Sequence, residues 1–174
     1  MVARALNYQV GGPPQFGLQS HGDRAARPTV VFVHGSSRAD KLWPEECWVD
    51  LGKRMVASGF DVALPHAGGE ELARAQRLAD ALGTQAIVWP MMSLDDLVDR
   101  MGGTQGVIGV DSGLSHIATA LNLPHVQLYN FPTAWRTGPL QAHGHHHQVA
   151  VERKPTPEVD LVWAMWQVVR RIRP

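Results

Sequence analysis

The sequence is poor in several features that would assign a function class at once. It contains a single cysteine, Cys47, which excludes an internal disulfide framework and is typical of a reducing compartment. Lys+Arg and Asp+Glu both number 16, so no broad positive field favours nucleic-acid binding. No apolar run approaches the ~18–20 residues that span a bilayer, and residues 1–4 open no apolar export signal. We therefore expect a cytosolic protein that handles anions only at a local site.

The length of 174 residues is that of one domain with one substantial core. Residues 1–28 lack periodicity and contain Gly11-Gly12-Pro13-Pro14, so we predict a linker or the remnant of another domain there. From residue 29 to residue 174, short apolar runs alternate with helical patterns, which predicts a Rossmann-like α/β domain with a doubly wound parallel sheet. The predicted strands are Thr29–Val33, Asp61–Leu64, Gln85–Trp89, Val107–Val110, His125–Tyr129 and Gln148–Val151.

Helix signals occupy the intervals between these runs. Apolar residues at helical spacing, Trp48 and Leu51 among them, predict a helix that begins at Pro44. Ser93-Leu-Asp-Asp96 fits a capping box with aspartate in place of the usual Glu or Gln. A final helix is predicted to begin near Thr156-Pro157-Glu158 and to pack its tryptophans into the core. Contact with another domain, or with the surface of a membrane, remains an alternative for that face.

The commonest order for such a sheet, 3-2-1-4-5, makes the first and fourth strands neighbours at the point where ligands bind. The loop after the first strand carries Ser36, Ser37 and Lys41, which suit the oxygens of a diphosphate. The loop after the fourth strand is Asp111-Ser-Gly-Leu-Ser-His116 and runs directly into a helix, whose first N–H groups attract phosphate. We expect the two loops to face each other and to bind a nucleotide or nucleotide-sugar.

Each of these residues also has a purely structural interpretation. Asp111 or Ser112 is equally suited to cap the helix that follows. His116 fits a partly buried histidine, and Lys41 fits an ordinary solvated side chain. The expected convergence of both loops favours the ligand site over these alternatives.

The two loops, His34–Pro44 and Asp111–His116, closely resemble the donor-site motifs of the ADP-heptose:lipopolysaccharide glycosyltransferases, glycosyltransferase family 9. Glu70-Glu71 and Pro90-Met-Met-Ser-Leu94 continue the resemblance in order and register over roughly residues 29–130. The first motif is of the heptosyltransferase I type. The resemblance implies the C-terminal half of a GT-B glycosyltransferase, in which two Rossmann-like domains enclose the reaction.

The resemblance also implies roles for individual residues. Ser112 and Gly113 would grip the diphosphate through their amides, with help from Ser36, Ser37 and Lys41. Asp111 and Lys41 would orient the heptose and serve catalysis, and His116 would support the loop. Glu71 matches the position that binds the ribose, and Met92 matches a residue that lines the adenine pocket.

The implied reaction is inverting transfer of heptose from ADP-L-glycero-β-D-manno-heptose to Kdo of lipid A, without a cofactor or metal. The catalytic base and the acceptor site would belong to an N-terminal domain that residues 1–28 are too few to form. We therefore expect this chain to bind donor and to transfer nothing alone. The implied location is the cytoplasmic face of the inner membrane, with peripheral membrane association and no nucleic-acid partner.

Two other function classes remain as alternatives. Val30–Gly35 resembles the oxyanion-hole strand of α/β-hydrolases, with Asp111 as a nucleophile and a histidine from His143–His147 completing a triad. A non-catalytic adenine-nucleotide-binding module is the second. His143–His147 also suggests a metal site, but without accompanying ligands a solvated loop is the preferred interpretation. Tyr129–Thr133 departs from the family's more usual Gly-Pro-Thr pattern.

Overall fold

A computed structural model describes residues 16–139 and 145–172 of the chain. Within these residues, parallel strands form one sheet of six in the order β3-β2-β1-β4-β5-β6. The predicted doubly wound fold and the order of the first five strands are confirmed. The strands are β1 (Thr29–Val33), β2 (Asp61–Leu64), β3 (Ala86–Val88), β4 (Gly106–Val110), β5 (His125–Tyr129) and β6 (Gln148–Glu152).

Helices cover both faces of the sheet, which is why the central strands β1 and β4 are buried at every position. Val30 and Phe32 of β1 point into one core, whereas Val31 and Val33 point into the other. The helices are α1 (Glu45–Ala57), α2 (Gly69–Leu82), α3 (Leu94–Gly102), α4 (Gly113–Ala120), α5 (Ala134–Thr137) and α6 (Val159–Val169), with 3₁₀ turns at Ala39–Lys41 and Gly83–Gln85. None of the helices in the described ranges is long and apolar enough to cross a membrane.

An aromatic cluster joins β1 to the helices on the larger core. The rings of Phe32 and Trp48 lie 4.9 Å apart, and Trp43 meets Trp48 edge-on at the same distance. Trp43 is 1% exposed, and its Nε1 donates to the carbonyl of Pro157 at 2.8 Å. Trp166 of α6 is fully buried, so the prediction that the final helix packs into the core is confirmed.

Helix α6 begins at Val159 with Glu158 as its N-cap, which confirms the predicted start near Thr156-Pro157-Glu158. The Thr156 hydroxyl donates to Asn130, and the Pro157 carbonyl accepts from Trp43. The capping box is confirmed in modified form. Ser93 Oγ accepts from the amide of Asp96 at 3.2 Å and donates to its carboxylate at 2.6 Å, since aspartate is too short to reach back to the serine amide.

The described part of the predicted linker runs along α3. The amide of His21 donates to the carboxylate of Asp99 at 2.6 Å, and the amide of Ala25 donates to the carbonyl of Gly103 at 3.0 Å. A Cβ on Gly22 would lie 2.4 Å from the Asp99 carbonyl oxygen, so this close approach requires glycine. Gly11–Pro14 lie outside the described residues, and a linker role for residues 1–28 stays a prediction.

Candidate functional site

The loops that follow β1, β2, β3 and β4 line one cleft of about 980 Å³ at the carboxyl edge of the sheet. Loops from neighbouring β1 and β4 face each other across it, as the predicted strand order requires. Six of the residues proposed from the sequence line this cleft: Ser36, Ser37, Glu71, Met92, Ser112 and Gly113. The segments after β2 and β3 also line the cleft, and they contribute Glu71 and Met92, the two residues that the family resemblance implied there.

One end of the cleft is apolar and is built on Trp89, immediately after β3. The Trp89 ring is 3% exposed, and the Arg100 guanidinium lies 4.9 Å from its centroid. Met92, Leu114 and Ile117 pack in the same cluster and also line the cleft. This end is suited to the flat faces of a nucleobase. The sequence analysis did not propose Trp89 as a site residue, although its position at the carboxyl end of a strand indicates a place beside the ligand-binding edge of the sheet.

The opposite wall contains the start of α4. Ser112 occupies the N-cap position, but its side chain makes no cap hydrogen bond, so the capping interpretation is wrong for both Asp111 and Ser112. The Ser112 hydroxyl is buried and has no hydrogen-bond partner among the described residues. Open space lies beside Gly113, where a Cβ would meet nothing within 4 Å. The N–H groups at the start of α4 are therefore available to an anion.

Glu71 reaches from α2 across the β1 loop. One of its carboxylate oxygens accepts from the amide of Ala67 at 2.7 Å, and the other lies where Gly35 leaves room. A Cβ on Gly35 would come within 1.6 Å of that oxygen, so glycine at this position is required for the observed placement of Glu71. The carboxylate thus lines the cleft as a fixed acceptor, as binding of sugar hydroxyls would require.

The side chains of Lys41, Asp111 and His116 lie together beside the cleft. The Lys41 ammonium lies 2.8 Å from the Asp111 carboxylate, and His116 Nε2 lies 3.8 Å from it. The side chain of Asp111 is 5% exposed and that of Lys41 is 20% exposed. The His116 side chain is 51% exposed, so the structural interpretation of His116 as a partly buried histidine does not fit. Ser36 Oγ donates to the Asp111 carbonyl at 3.2 Å and ties this group to the cleft.

Arg74 is a cation of the cleft wall that the sequence analysis missed. Its side chain is 21% exposed, donates to the His34 carbonyl at 3.3 Å and lies 3.5 Å from the carboxylate of Glu45. The pattern of α2 predicts its apolar face well, but it does not indicate which polar residues turn toward a ligand. Arg74 adds positive charge to a wall that otherwise carries Glu70 and Glu71.

Two histidines are buried completely and remain neutral at physiological pH. Desolvation by burial, followed by the charge of Arg74, lowers the pKa of His34 to about 4. Burial is the largest cause that lowers the pKa of His125 to about 3. Because the unfolded chain binds protons near pH 6.5 at these positions and the folded chain does not, acid favours unfolding.

We expect the free energy of unfolding to be unaffected by these two groups above pH 6.5 and to fall as the pH drops from 6.5 toward 4. The limiting slope is about 1.4 kcal/mol per pH unit for each histidine. Urea unfolding of the chain at pH 7.5, 6.5, 5.5 and 5.0 measures it. His125→Gln should remove the contribution of one histidine to the change of unfolding free energy with pH, independently of its effect on the stability at pH 7.5. An unchanged slope in that variant contradicts the assignment.

The histidine-rich segment forms a different structure from the one predicted. His145 is 8% and His147 4% exposed, so the solvated-loop interpretation is wrong for both, and His143 lies outside the described residues. Both rings meet Asn122 Oδ1 at 2.9 Å, and the His147 carbonyl accepts from the amide of His125, the first residue of β5. Among residues 16–139 and 145–172, no three metal-ligating side chains converge.

This placement also contradicts the hydrolase alternative for the described histidines. His145 and His147 lie at the amino edge of the sheet, whereas Asp111 follows the carboxyl end of β4. The strand between these edges spans ~15 Å at ~3.3 Å per residue, too far for a nucleophile and its base.

A doubly wound parallel sheet with helices on both faces defines a Rossmann-like α/β domain, a class of fold that binds ligands at the carboxyl edge of its sheet. The model of glycosyltransferase family 9 (heptosyltransferase) matches residues 8–163, and the chain belongs to this family. Lipopolysaccharide heptosyltransferase 1 of Pseudomonas aeruginosa is 38% identical over 102 residues, which are 59% of this chain and 28% of that protein.

Two solved structures of E. coli heptosyltransferase WaaC are similar over almost the whole chain. The one with ADP has a TM-score of 0.78 and 27% identity, and covers 96% of this chain and 53% of that chain. The one with ADP-2-deoxy-2-fluoro heptose has a TM-score of 0.73 and 27% identity, with 95% and 52% covered. The chain thus spans about a third of the curated relatives' length in the matched region, and about half of the WaaC chain.

Proposed function

We propose that this chain is the C-terminal, donor-binding half of a heptosyltransferase that acts in the synthesis of the lipopolysaccharide inner core. The observation that carries the proposal is that one cleft brings apolar side chains around Trp89 together with the start of α4 at Ser112 and Gly113. A nucleoside diphosphate needs both kinds of surface, because it combines a flat base with two phosphates. The solved relatives with ADP and with an ADP-heptose analogue favour the same class of donor.

ADP-L-glycero-β-D-manno-heptose is the proposed donor. Its adenine would lie beside Trp89 and Met92, and its ribose hydroxyls would donate to Glu71. Its diphosphate would meet Ser36, Ser37 and the start of α4, including the unpartnered Ser112 hydroxyl. Asp111 and Lys41 would orient the heptose, with His116 supporting the loop through the Asp111 carboxylate.

The part of the reaction assigned to this chain is the departure of ADP. Cleavage of the bond between heptose and diphosphate leaves negative charge on the phosphate oxygens, which fixed cations and N–H groups stabilise. Lys41 is held beside the α4 start by Asp111, so its ammonium is positioned for this role without reorganisation. An inverting transfer also needs a base at the acceptor hydroxyl. We assign that base and the lipid A–Kdo site to an N-terminal domain, and the reaction to the cytoplasmic face of the inner membrane.

Nucleotide selectivity tests the proposal directly. Calorimetric titration of the chain should show ADP binding at least ~10-fold more tightly than GDP or UDP, a difference of ~1.4 kcal/mol. Equal binding of the three nucleotides would contradict an adenine site. Absence of binding by all three, repeated after an N-terminal half is supplied, would reject the donor-domain assignment itself.

A further inference from the structure

Asn130, the residue directly after β5, reaches across the sheet edge to the loop that carries Lys41. Strand β5 pairs with β4 and β6 and not with β1, so this contact is not a consequence of strand pairing. The Asn130 Nδ2 group donates to the carbonyls of Asp40 and Leu42, both at 2.9 Å. These are the two carbonyls on either side of Lys41, and they lie 90 and 88 residues away in sequence.

Both the nitrogen and the oxygen of the Asn130 side-chain amide are hydrogen-bonded. Both donated hydrogen bonds go to the Lys41 loop, and Oδ1 accepts from the hydroxyl of Thr156 at 2.7 Å. An amide with both ends engaged has one orientation, because reversal would place its oxygen against two carbonyl oxygens. The Asn130 side chain therefore links the segment before α6 to the loop after β1 in one fixed orientation.

The backbone just before Lys41 has little other support. Residues 37–40 are exposed, and Lys41 ends the short 3₁₀ turn Ala39–Lys41. Its side chain must nevertheless deliver Nζ to within 2.8 Å of Asp111. A flexible lysine loses considerable rotational freedom when it is held in one position, and fixing the backbone on both sides reduces that cost.

We propose that Asn130 is a positioning residue for Lys41: by holding the carbonyls of Asp40 and Leu42, it fixes the ammonium against Asp111 where the donor diphosphate binds. The second half of this statement rests on the proposed function. Asn130 is not among the residues that line the cleft, and its donated hydrogen bonds go to the backbone on either side of Lys41. We therefore expect its effect on binding to pass through Lys41.

The first measurement is the rate at which Lys41 is acetylated in the absence of nucleotide, which depends on how firmly its ammonium is held. The chain has three lysines, Lys41, Lys53 and Lys154, so acetylation by acetic anhydride can be followed at each by mass spectrometry. Lys41 should react more slowly than the exposed Lys53, because its ammonium is ion-paired and 20% exposed. Asn130→Ala and Asn130→Asp should both raise the Lys41 rate severalfold and leave the Lys53 rate unchanged. An unchanged Lys41 rate in both variants overturns the proposal.

The second measurement is a double-mutant cycle on ADP affinity. Asn130→Ala should weaken ADP binding about 3- to 10-fold in the native background and less than twofold when Lys41 is already alanine. Equal losses in both backgrounds would mean that Asn130 acts on the loop in general, and would overturn the proposal. If ADP binds neither the native chain nor the chain supplied with an N-terminal half, the proposed function fails, while the acetylation rates still decide whether Asn130 positions Lys41.

Discussion

Lys41→Ala is expected to weaken ADP binding about 10- to 100-fold, because a hydrogen bond to a charged group contributes about 1.5–3 kcal/mol. The ammonium is fixed 2.8 Å from Asp111 beside the start of α4, so its loss is not compensated by a neighbouring cation of the same loop. Arg38 is committed to Asp40, with its Nε 3.0 Å from that carboxylate. Calorimetric titration with ADP gives the measurement.

Lys53→Ala is the matched control, since it removes an exposed lysine from α1 and should leave affinity within twofold. Lys41→Ala also leaves the Asp111 carboxylate buried and without its cation, at a cost of about 3–5 kcal/mol in the free energy of unfolding. Circular dichroism of the variant therefore has to show that it is folded before its affinity is compared. Native-like affinity in a folded Lys41→Ala protein would show that the diphosphate does not bind at this loop.

Trp43→Ala is expected to lower the free energy of unfolding by about 3–5 kcal/mol, the range for removal of a buried tryptophan. The side chain is 1% exposed, packs edge-on against Trp48 and donates to the Pro157 carbonyl at 2.8 Å. Its removal leaves a cavity and an unpaired carbonyl at once. Urea unfolding followed by circular dichroism measures the change in midpoint.

The control for this substitution is Trp135→Ala. Trp135 is the same residue type, but its side chain is 84% exposed on α5, so its removal should change stability by less than ~0.5 kcal/mol. Similar losses in the two variants would show that the tryptophan cluster does not carry the stability assigned to it.

The sheet could be predicted well from the sequence because its central strands are buried on both faces. Val30 to Val33 point alternately into two cores, and only a continuous apolar run satisfies that arrangement. The edge strand β3 was predicted two residues too long. Its Gln85 belongs to a 3₁₀ turn and its Trp89 turns into the cleft, a choice that local propensity does not determine.

The site could be predicted where it depends on chain order, and not where it depends on distant contacts. Ser36 and Ser112 follow strands that any 3-2-1-4 sheet makes neighbours, so their convergence was predictable. Asn130 was not predictable, because its partners lie about 90 residues away and its segment departs from the family pattern. The burial of His145 and His147 depends on Asn122, whose φ of 57° places its side chain between them.

The polar part of the cleft can form only late in folding. Ser36 and Asp111 meet across 75 residues of chain, and they can do so only after β4 has paired with β1. During synthesis, β1 to β3 are complete well before β4 emerges, and long-range parallel pairing of this kind is slow. Under the proposed function, a growing chain has no place to bind nucleotide until the helix after β4 is present. Nucleotide in the cell would then stabilise finished domains by mass action and give no help to unfinished ones.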